Sequence, residues 1–211
     1  MHRIAPATLA CLTVAVIVLL CTSRAYAASW LEEPARAEGE RNEAKPDELK
    51  WAVTLYGGAI TKGSTKAIAR FSAEYEDSQI GVGALSWKFG EITRHLWFEV
   101  EGQVAKHFGE QDHWELNALI MARWVTFPWN AYLVTTVAVG DGISYATEVP
   151  KLEDKPDASQ WLNYLLFEFT FALPSYPELA LVARLHHRSG FYRALAPNSI
   201  NAVGFGIKYR F

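Results

Sequence analysis

The chain has 211 residues, of which 50% are hydrophobic, 13% aromatic and 20% charged, a composition too apolar for a disordered protein. No stretch beyond the N-terminus approaches the roughly 18 consecutive apolar residues of a spanning helix, which excludes a multi-pass helical membrane protein. The formal net charge of −3 leaves no basic excess to neutralise phosphates, so nucleic acid is not an expected partner.

The N-terminus has the pattern of a secretory signal peptide over residues 1–27. A cationic start with Arg3 precedes an apolar core, and an Ala-x-Ala site predicts cleavage after Ala27. A lipoprotein signal ending at Cys21 is the alternative, but Leu20 stands where that cleavage site requires a small residue. Both cysteines lie in this leader, so the exported chain cannot rely on disulfides.

Three segments follow from the change in composition along the chain. After the leader, residues 28–50 carry seven acids, four bases and two prolines, which predicts an acidic periplasmic N-terminal linker. From residue 51 to 211 the hydrophobic pattern has a period of two, which indicates β-strands throughout.

The strand pattern predicts an all-β fold, an eight-stranded antiparallel transmembrane β-barrel of the outer membrane of a Gram-negative bacterium. Long connections (61–79, 141–159, 190–200) and one of medium length (108–112) alternate with short ones, as outer loops and periplasmic turns do in such barrels. The predicted strands are 51–60, 80–90, 94–107, 113–126, 131–140, 160–173, 178–189 and 201–211.

The last strand ends on an aromatic residue. Phe205, Ile207, Tyr209 and Phe211 alternate with small or charged residues, an ending that resembles the C-terminal signal read by the barrel-assembly machinery. That machinery and the outer-membrane bilayer are therefore expected partners. A soluble sandwich that happens to end on Phe211 is the alternative.

A barrel of eight strands has no open pore, so its interior must be filled by side chains. The inward positions carry four acids and four bases: Glu99, Glu101, Glu115 and Glu168, with Arg123, Arg184, Lys208 and Arg210. Buried charges persist only when paired, so these residues predict a structural ion-pair network, with a proton-conducting or catalytic lumen as the alternative. Aromatic side chains near the strand ends predict an interfacial girdle: Trp51, Trp87, Trp114, Trp124, Trp129, Trp161 and Tyr209.

Two polar residues interrupt the outward face of the seventh strand. The parity that directs Leu181 and Leu185 to lipid also directs His187 and Ser189 outward. Residues two apart on a strand have Cβ atoms about 7 Å apart, close enough for the imidazole to reach the hydroxyl. Outward parity on the last strand extends back to Asn201, which a hairpin register would place beside His187.

These residues predict hydrolysis of an ester carried by a lipid. Ser189 would be the nucleophile, His187 the general base and Asn201 the residue that orients the imidazole. Gly190 or Asn198 would hold the oxyanion. In the alternative interpretation this segment is only where the strand leaves the membrane, with Arg188 and Arg193 as lipopolysaccharide contacts.

These features resemble the lipid A 3-O-deacylase family of outer-membrane esterases. The resemblance covers residues from about 51 to 211, and its specific part is His187-Arg188-Ser189 with the segment around Asn201. It implies lipid A, or lipopolysaccharide, as substrate and a Ser-His-Glu triad that needs no cofactor and no metal. The chain departs from that pattern because Asn201 replaces the expected carboxylate and Gly190 stands where the family commonly has Asn.

Other motifs are less specific. His107, Asp112 and His113 flank a short outer loop, but loop spacing alone defines no coordination geometry, so no metal site is predicted. A non-catalytic barrel that binds lipopolysaccharide or supports the envelope is the rival function, and a small transport or adhesion barrel is a third.

Overall fold

The computed structural model describes residues 49–62, 68, 74–152, 159–190 and 200–211. The predicted leader and residues 28–48 of the predicted linker lie outside this part of the chain, as do Arg193 and Asn198. Among the described residues, no helix has the length and apolar character needed to cross a membrane.

Eight antiparallel strands form a closed barrel in which each strand pairs with its neighbours in sequence. The first strand also pairs with the last, and the backbones of Trp51 and Phe211 exchange hydrogen bonds of 3.0 and 2.9 Å. Closure removes unpaired edges and confirms the predicted fold class. The strands are β1 (Trp51–Lys62), β2 (Glu74–Thr93), β3 (Leu96–Gly109), β4 (Trp114–Trp124), β5 (Val134–Ala146), β6 (Trp161–Leu173), β7 (Tyr176–Ser189) and β8 (Ile200–Arg210).

Side chains alternate between a buried interior and an exposed exterior along the strands. In β4, every second residue from Trp114 to Trp124 is exposed and those between are buried. Exposed aromatic rings lie next to each other at the strand ends, as in the stacked pair of Trp51 and Trp87 with ring centroids 6.1 Å apart. We call the end of the barrel that holds Trp51 and Phe211 the lower end, and the opposite end, where β7 finishes, the upper end.

Two strands extend further toward the upper end than the hydrophobic pattern predicted. β2 begins at Glu74 instead of residue 80, and β5 continues through Ala146 instead of ending at residue 140. The added residues of β2 are mostly polar, and the backbone continues to pair where no apolar alternation marks the strand. Periodicity reports side-chain burial, so it misses strand segments whose outward residues are polar.

Glycines in β5 make room for large side chains inside the barrel. Leu119, Met121, Tyr164 and Leu166 form a buried cluster there. A Cβ atom on Gly142 would meet the carbonyl oxygen of Ala118 and lie 2.6 Å from the Cα of Leu119. The glycines therefore allow close packing within a continuous strand, where the sequence had indicated the start of a loop.

A Gly142→Val variant should destabilise the barrel by about 1–3 kcal/mol, because its side chain would overlap the backbone of β4. Urea unfolding of the refolded protein in detergent micelles, followed by tryptophan fluorescence, would measure the loss. Gly102→Val is the matched control, since a Cβ at Gly102 has no atom within 4 Å. Equal midpoints for the two variants would contradict this account of the glycine.

Ion pairs fill the middle of the lumen. Arg123 forms a bidentate pair with Glu99, with both N–O distances 2.9 Å, and Arg184 forms one with Glu101 at 2.7 and 2.9 Å. Glu168 lies between them and accepts hydrogen bonds of 2.6 Å from each arginine. These charges are buried and paired, as predicted for the lumen.

Candidate functional site

A row of residues crosses the outer wall of the barrel near its upper end. Strand pairing places six outward positions side by side, from β4 through β8 to β1: Ile120, Asp141, Leu165, His187, Asn201 and Thr61. Four of the six residues are polar, whereas the outward residues nearer the lower end of the barrel are mostly apolar. We call these six positions the polar row, and they are the candidate site on the outside of the barrel.

His187 and Asn201 are directly paired across β7 and β8 and share a hydrogen bond. His187 Nδ1 donates to Asn201 Oδ1 at 2.6 Å, because an amide oxygen only accepts. The proton of the neutral imidazole is therefore on Nδ1, which leaves the lone pair on Nε2. Within the described part of the chain, that atom is buried and has no hydrogen-bond partner. The structure thus brings together two of the three residues predicted to act in catalysis.

Ser189 lies on the same outward face as His187, two residues along β7, but the two side chains are not hydrogen-bonded. The Oγ atom of Ser189 is buried and has no hydrogen-bond partner among the residues that the structure describes. Both residues are also covered: His187 is 0% and Ser189 6% exposed, whereas Leu181 on this face is 50% exposed. The predicted outward parity agrees with the strand pairing, but these two residues are not open to lipid as Leu181 is.

Asn163 is a neighbour of Ser189 that the sequence analysis did not single out. It pairs with Ser189 across β6 and β7, and its Nδ2 donates to Asp141 Oδ1 at 2.8 Å. Its own Oδ1 is buried and accepts no hydrogen bond from any described residue. The signal was available in the sequence, because residue 163 has the outward parity of Trp161 in β6.

The remaining predicted site residues are distributed differently. Arg188 points into the lumen, since it has the opposite parity to His187; it is buried, with Nε 3.6 Å from Glu115 Oε2. That position does not support the predicted contact with lipopolysaccharide. Gly190 directly follows β7 and is partly exposed, next to Ser189. The predicted oxyanion donor Asn198 and headgroup contact Arg193 are outside the described residues.

A second polar group lies inside the upper end of the lumen. His107 from β3 and His113 from the following loop stack with ring centroids 4.2 Å apart, and His107 Nε2 is 2.9 Å from Glu115 Oε2. One nitrogen or oxygen from each residue lies within 4.8 Å of the others, a spacing able to hold a metal ion. Asp112, which the sequence had grouped with these histidines, is exposed and pairs with Lys106 instead.

The pKa values of two loop residues in this region are lowered. Burial, with a smaller contribution from the adjacent His107, lowers the pKa of the His113 imidazole to about 4, so His113 is neutral near pH 7. A hydrogen bond from Lys106 lowers the pKa of the Asp112 carboxyl.

The barrel is similar in fold to solved outer-membrane proteins. It matches a crystal structure of the outer membrane enzyme PagL with a TM-score of 0.51 at 10% sequence identity, covering 76% of this chain and 99% of that one. Neisserial surface protein A (NspA) matches with a TM-score of 0.47 at 11% identity, covering 76% of this chain and 97% of that one. No family model and no curated protein matches the sequence.

These comparisons establish the architecture. The chain has the fold of an eight-stranded outer-membrane β-barrel. At 10% identity the likeness to PagL shows the fold alone and does not select an activity. The function must be argued from the side chains of His187, Ser189 and Asn201.

Proposed function

We propose that this barrel is an outer-membrane esterase that hydrolyses an ester-linked acyl chain of lipopolysaccharide, as the motif resemblance to lipid A deacylases suggests. Ser189 is the nucleophile, His187 the general base and Asn201 the residue that orients the imidazole. The observation that carries the proposal is the hydrogen bond from His187 Nδ1 to Asn201 Oδ1, which leaves Nε2 with its lone pair. The hydroxyl of Ser189, which has no hydrogen-bond partner in the described part of the chain, lies two residues away on the same face.

The reaction follows acyl transfer through serine. A side-chain rotation brings Ser189 Oγ to His187 Nε2, which takes the hydroxyl proton as Oγ bonds to the acyl carbonyl carbon. The tetrahedral intermediate collapses, the ester C–O bond breaks, and the imidazolium returns the proton to the leaving sugar oxygen. Water then attacks the acyl-serine with the same base, releasing the fatty acid and restoring Ser189.

Two neighbouring groups are candidates to stabilise the oxyanion. Asn163 Nδ2 is an amide donor beside Ser189, although it now donates to Asp141. The backbone N–H of Gly190 follows the nucleophile directly. Donors of this kind contribute only if they point at the developing negative charge, so Asn163 must turn from Asp141 during the reaction.

The location suits a substrate that stays in the bilayer. Exposed apolar residues such as Leu181 and Phe205 lie below the polar row on the same face, where acyl chains would contact the wall. Lipopolysaccharide is the lipid with ester-linked acyl chains in the leaflet that the predicted outer loops face. The burial of His187 requires a local opening before the ester reaches Ser189.

A non-catalytic barrel with a structural or lipopolysaccharide-binding role is the second candidate. It is favoured by the absence of a hydrogen bond between Ser189 and His187, and by Asn201 in place of a carboxylate. An amide holds the tautomer but cannot stabilise an imidazolium by charge. We therefore expect a slow enzyme under the first proposal and no hydrolysis under the second.

Lipid A mass spectra separate the two functions. Cells expressing the unmodified protein should lose one hydroxyacyl mass from lipid A, and cells expressing Ser189→Ala should not, because the nucleophile is gone. Ser78→Ala is the matched control, a buried serine at the same end of the barrel but with inward parity. Lipid A that keeps its full mass in cells expressing the folded, unmodified protein would leave the non-catalytic role.

A further inference from the structure

We propose that the upper end of the lumen contains a binding site for one divalent transition-metal ion, formed by His107, His113 and Glu115. The three ligands come from β3, the following loop and β4, and all three side chains are buried. This site is inside the barrel and is separate from the proposed esterase site on the outer wall. The two proposals are independent, and either can fail alone.

The spacing of the donor atoms fits a small cation. In a tetrahedral site with bonds of about 2.0–2.2 Å, neighbouring ligand atoms are roughly 3.3–3.5 Å apart. His107 Nε2 and Glu115 Oε2 are 2.9 Å apart, and the three donors lie within 4.8 Å of one another. Shifts of about an ångström, within the range of side-chain rotation, would bring all three onto one ion.

An unused polar atom also points to a ligand. His113 Nε2 is buried and has no hydrogen-bond partner among the described residues. Buried polar groups in native proteins are nearly always satisfied, so this nitrogen requires an explanation. Stacking two imidazole rings beside a carboxylate places nitrogen lone pairs and negative charge together, and a cation would satisfy both.

His186 contacts the other oxygen of the Glu115 carboxylate. His186 Nε2 lies 2.9 Å from Glu115 Oε1, the oxygen that does not approach His107. The other ring nitrogen of His186 is 3.3 Å from the hydroxyl of Tyr56 and 3.2 Å from that of Tyr164. In known metal sites, residues that contact a ligating carboxylate in this way fix its orientation.

The donor set and charge favour Zn²⁺. Two imidazoles and one carboxylate are borderline ligands that bind zinc well and bind Mg²⁺ or Ca²⁺ poorly. With a single carboxylate the bound ion keeps a net positive charge, and Arg188 near Glu115 adds to it. We therefore expect moderate affinity. A small cavity lined by His107, Gln111 and His186 adjoins the ligands.

Zinc binding to the refolded barrel tests the site. The exported chain, prepared without a histidine tag and stripped with a chelator, would be titrated with Zn²⁺ in detergent micelles by calorimetry. We expect about one Zn²⁺ per chain. Co²⁺ in place of Zn²⁺ would report the coordination geometry through its visible absorption bands.

Variants test whether His107, His113 and Glu115 bind the zinc ion. His113→Gln removes a ligand from a loop, where folding is least at risk, and should weaken zinc binding at least about tenfold. His95→Gln is the matched control, because His95 lies in the turn between β2 and β3 at the lower end. Equal zinc affinity in the unmodified protein and His113→Gln, or no saturable binding at all, would overturn the proposal.

Discussion

An Asn201→Asp variant is expected to hydrolyse ester substrates faster than the unmodified protein, by at least about tenfold and at most about 10⁴-fold. The new carboxylate would have nearly the shape of the amide it replaces and would accept the same hydrogen bond from His187 Nδ1. It would also stabilise the imidazolium that forms as Ser189 loses its proton, which an amide cannot do. The gain arises in the transition state, so it should appear in kcat.

Initial rates on purified lipopolysaccharide in mixed micelles would measure this effect. Gln79→Glu is the charge-matched control, since it adds one negative charge to an exposed residue at the same end of the barrel. A double variant carrying Asn201→Asp and Ser189→Ala should be inactive if the gain passes through Ser189. Heat-dependent gel mobility would verify that each barrel is folded.

The result would contradict the proposed mechanism if the folded Asn201→Asp barrel were no faster than the unmodified protein. In that case the bond between His187 and Asn201 would serve only to hold two strands together. A gain that survived Ser189→Ala would instead assign the nucleophile to another group. Each outcome therefore identifies which of the three residues has been assigned wrongly.

The outer wall was largely predictable because a strand has a period of two. Once β7 was recognised by its exposed leucines, the outward parity of His187 and Ser189 followed directly. The position of Asn201 was predictable from the neighbouring strand, because a hairpin between β7 and β8 places Asn201 opposite His187. The same reasoning applied to β6 would have identified Asn163.

The contact between Glu115 and His186 in the lumen could not be predicted in the same way. His186 comes from β7, and curvature of the closed sheet brings it to Glu115. The exposure of a residue could not be predicted either, because alternation shows which face of the sheet a side chain is on and not what covers it. His187 is fully buried on a face where Phe205 is 59% exposed.

Two consecutive residues of β7 face the two proposed sites, the metal site in the lumen and the esterase site on the outer wall. His186 faces the lumen and holds Glu115, whereas His187 faces outward and pairs with Asn201. Because successive side chains of a strand point to opposite faces, β7 contributes both to the buried ion-pair network and to the site on the outer wall. A change in the lumen that shifts the backbone of β7 should also move His187. Replacing a lumen side chain without such a shift should not change the reaction on the outer wall directly.

The largest expected effect on stability comes from Glu168, at the centre of the lumen network. Its carboxylate accepts hydrogen bonds of 2.6 Å from Arg123, Arg184 and Lys208. Glu168→Gln keeps the size of the side chain but removes the negative charge, leaving these buried cations short of one counter-charge. Removing one partner from a buried ion pair costs about 3–5 kcal/mol, and we expect a loss of that order.

Urea unfolding in lipid vesicles would measure the change in the free energy of unfolding for Glu168→Gln. The matched control is Glu91→Gln, because Glu91 is half exposed and pairs with Lys88 three residues away; its loss should be under about 1 kcal/mol. Adding Lys208→Met to Glu168→Gln should restore part of the lost stability, since one uncompensated cation is then removed. If Glu168→Gln cost no more than Glu91→Gln, or Lys208→Met deepened the loss, charge balance would not be what holds the lumen together.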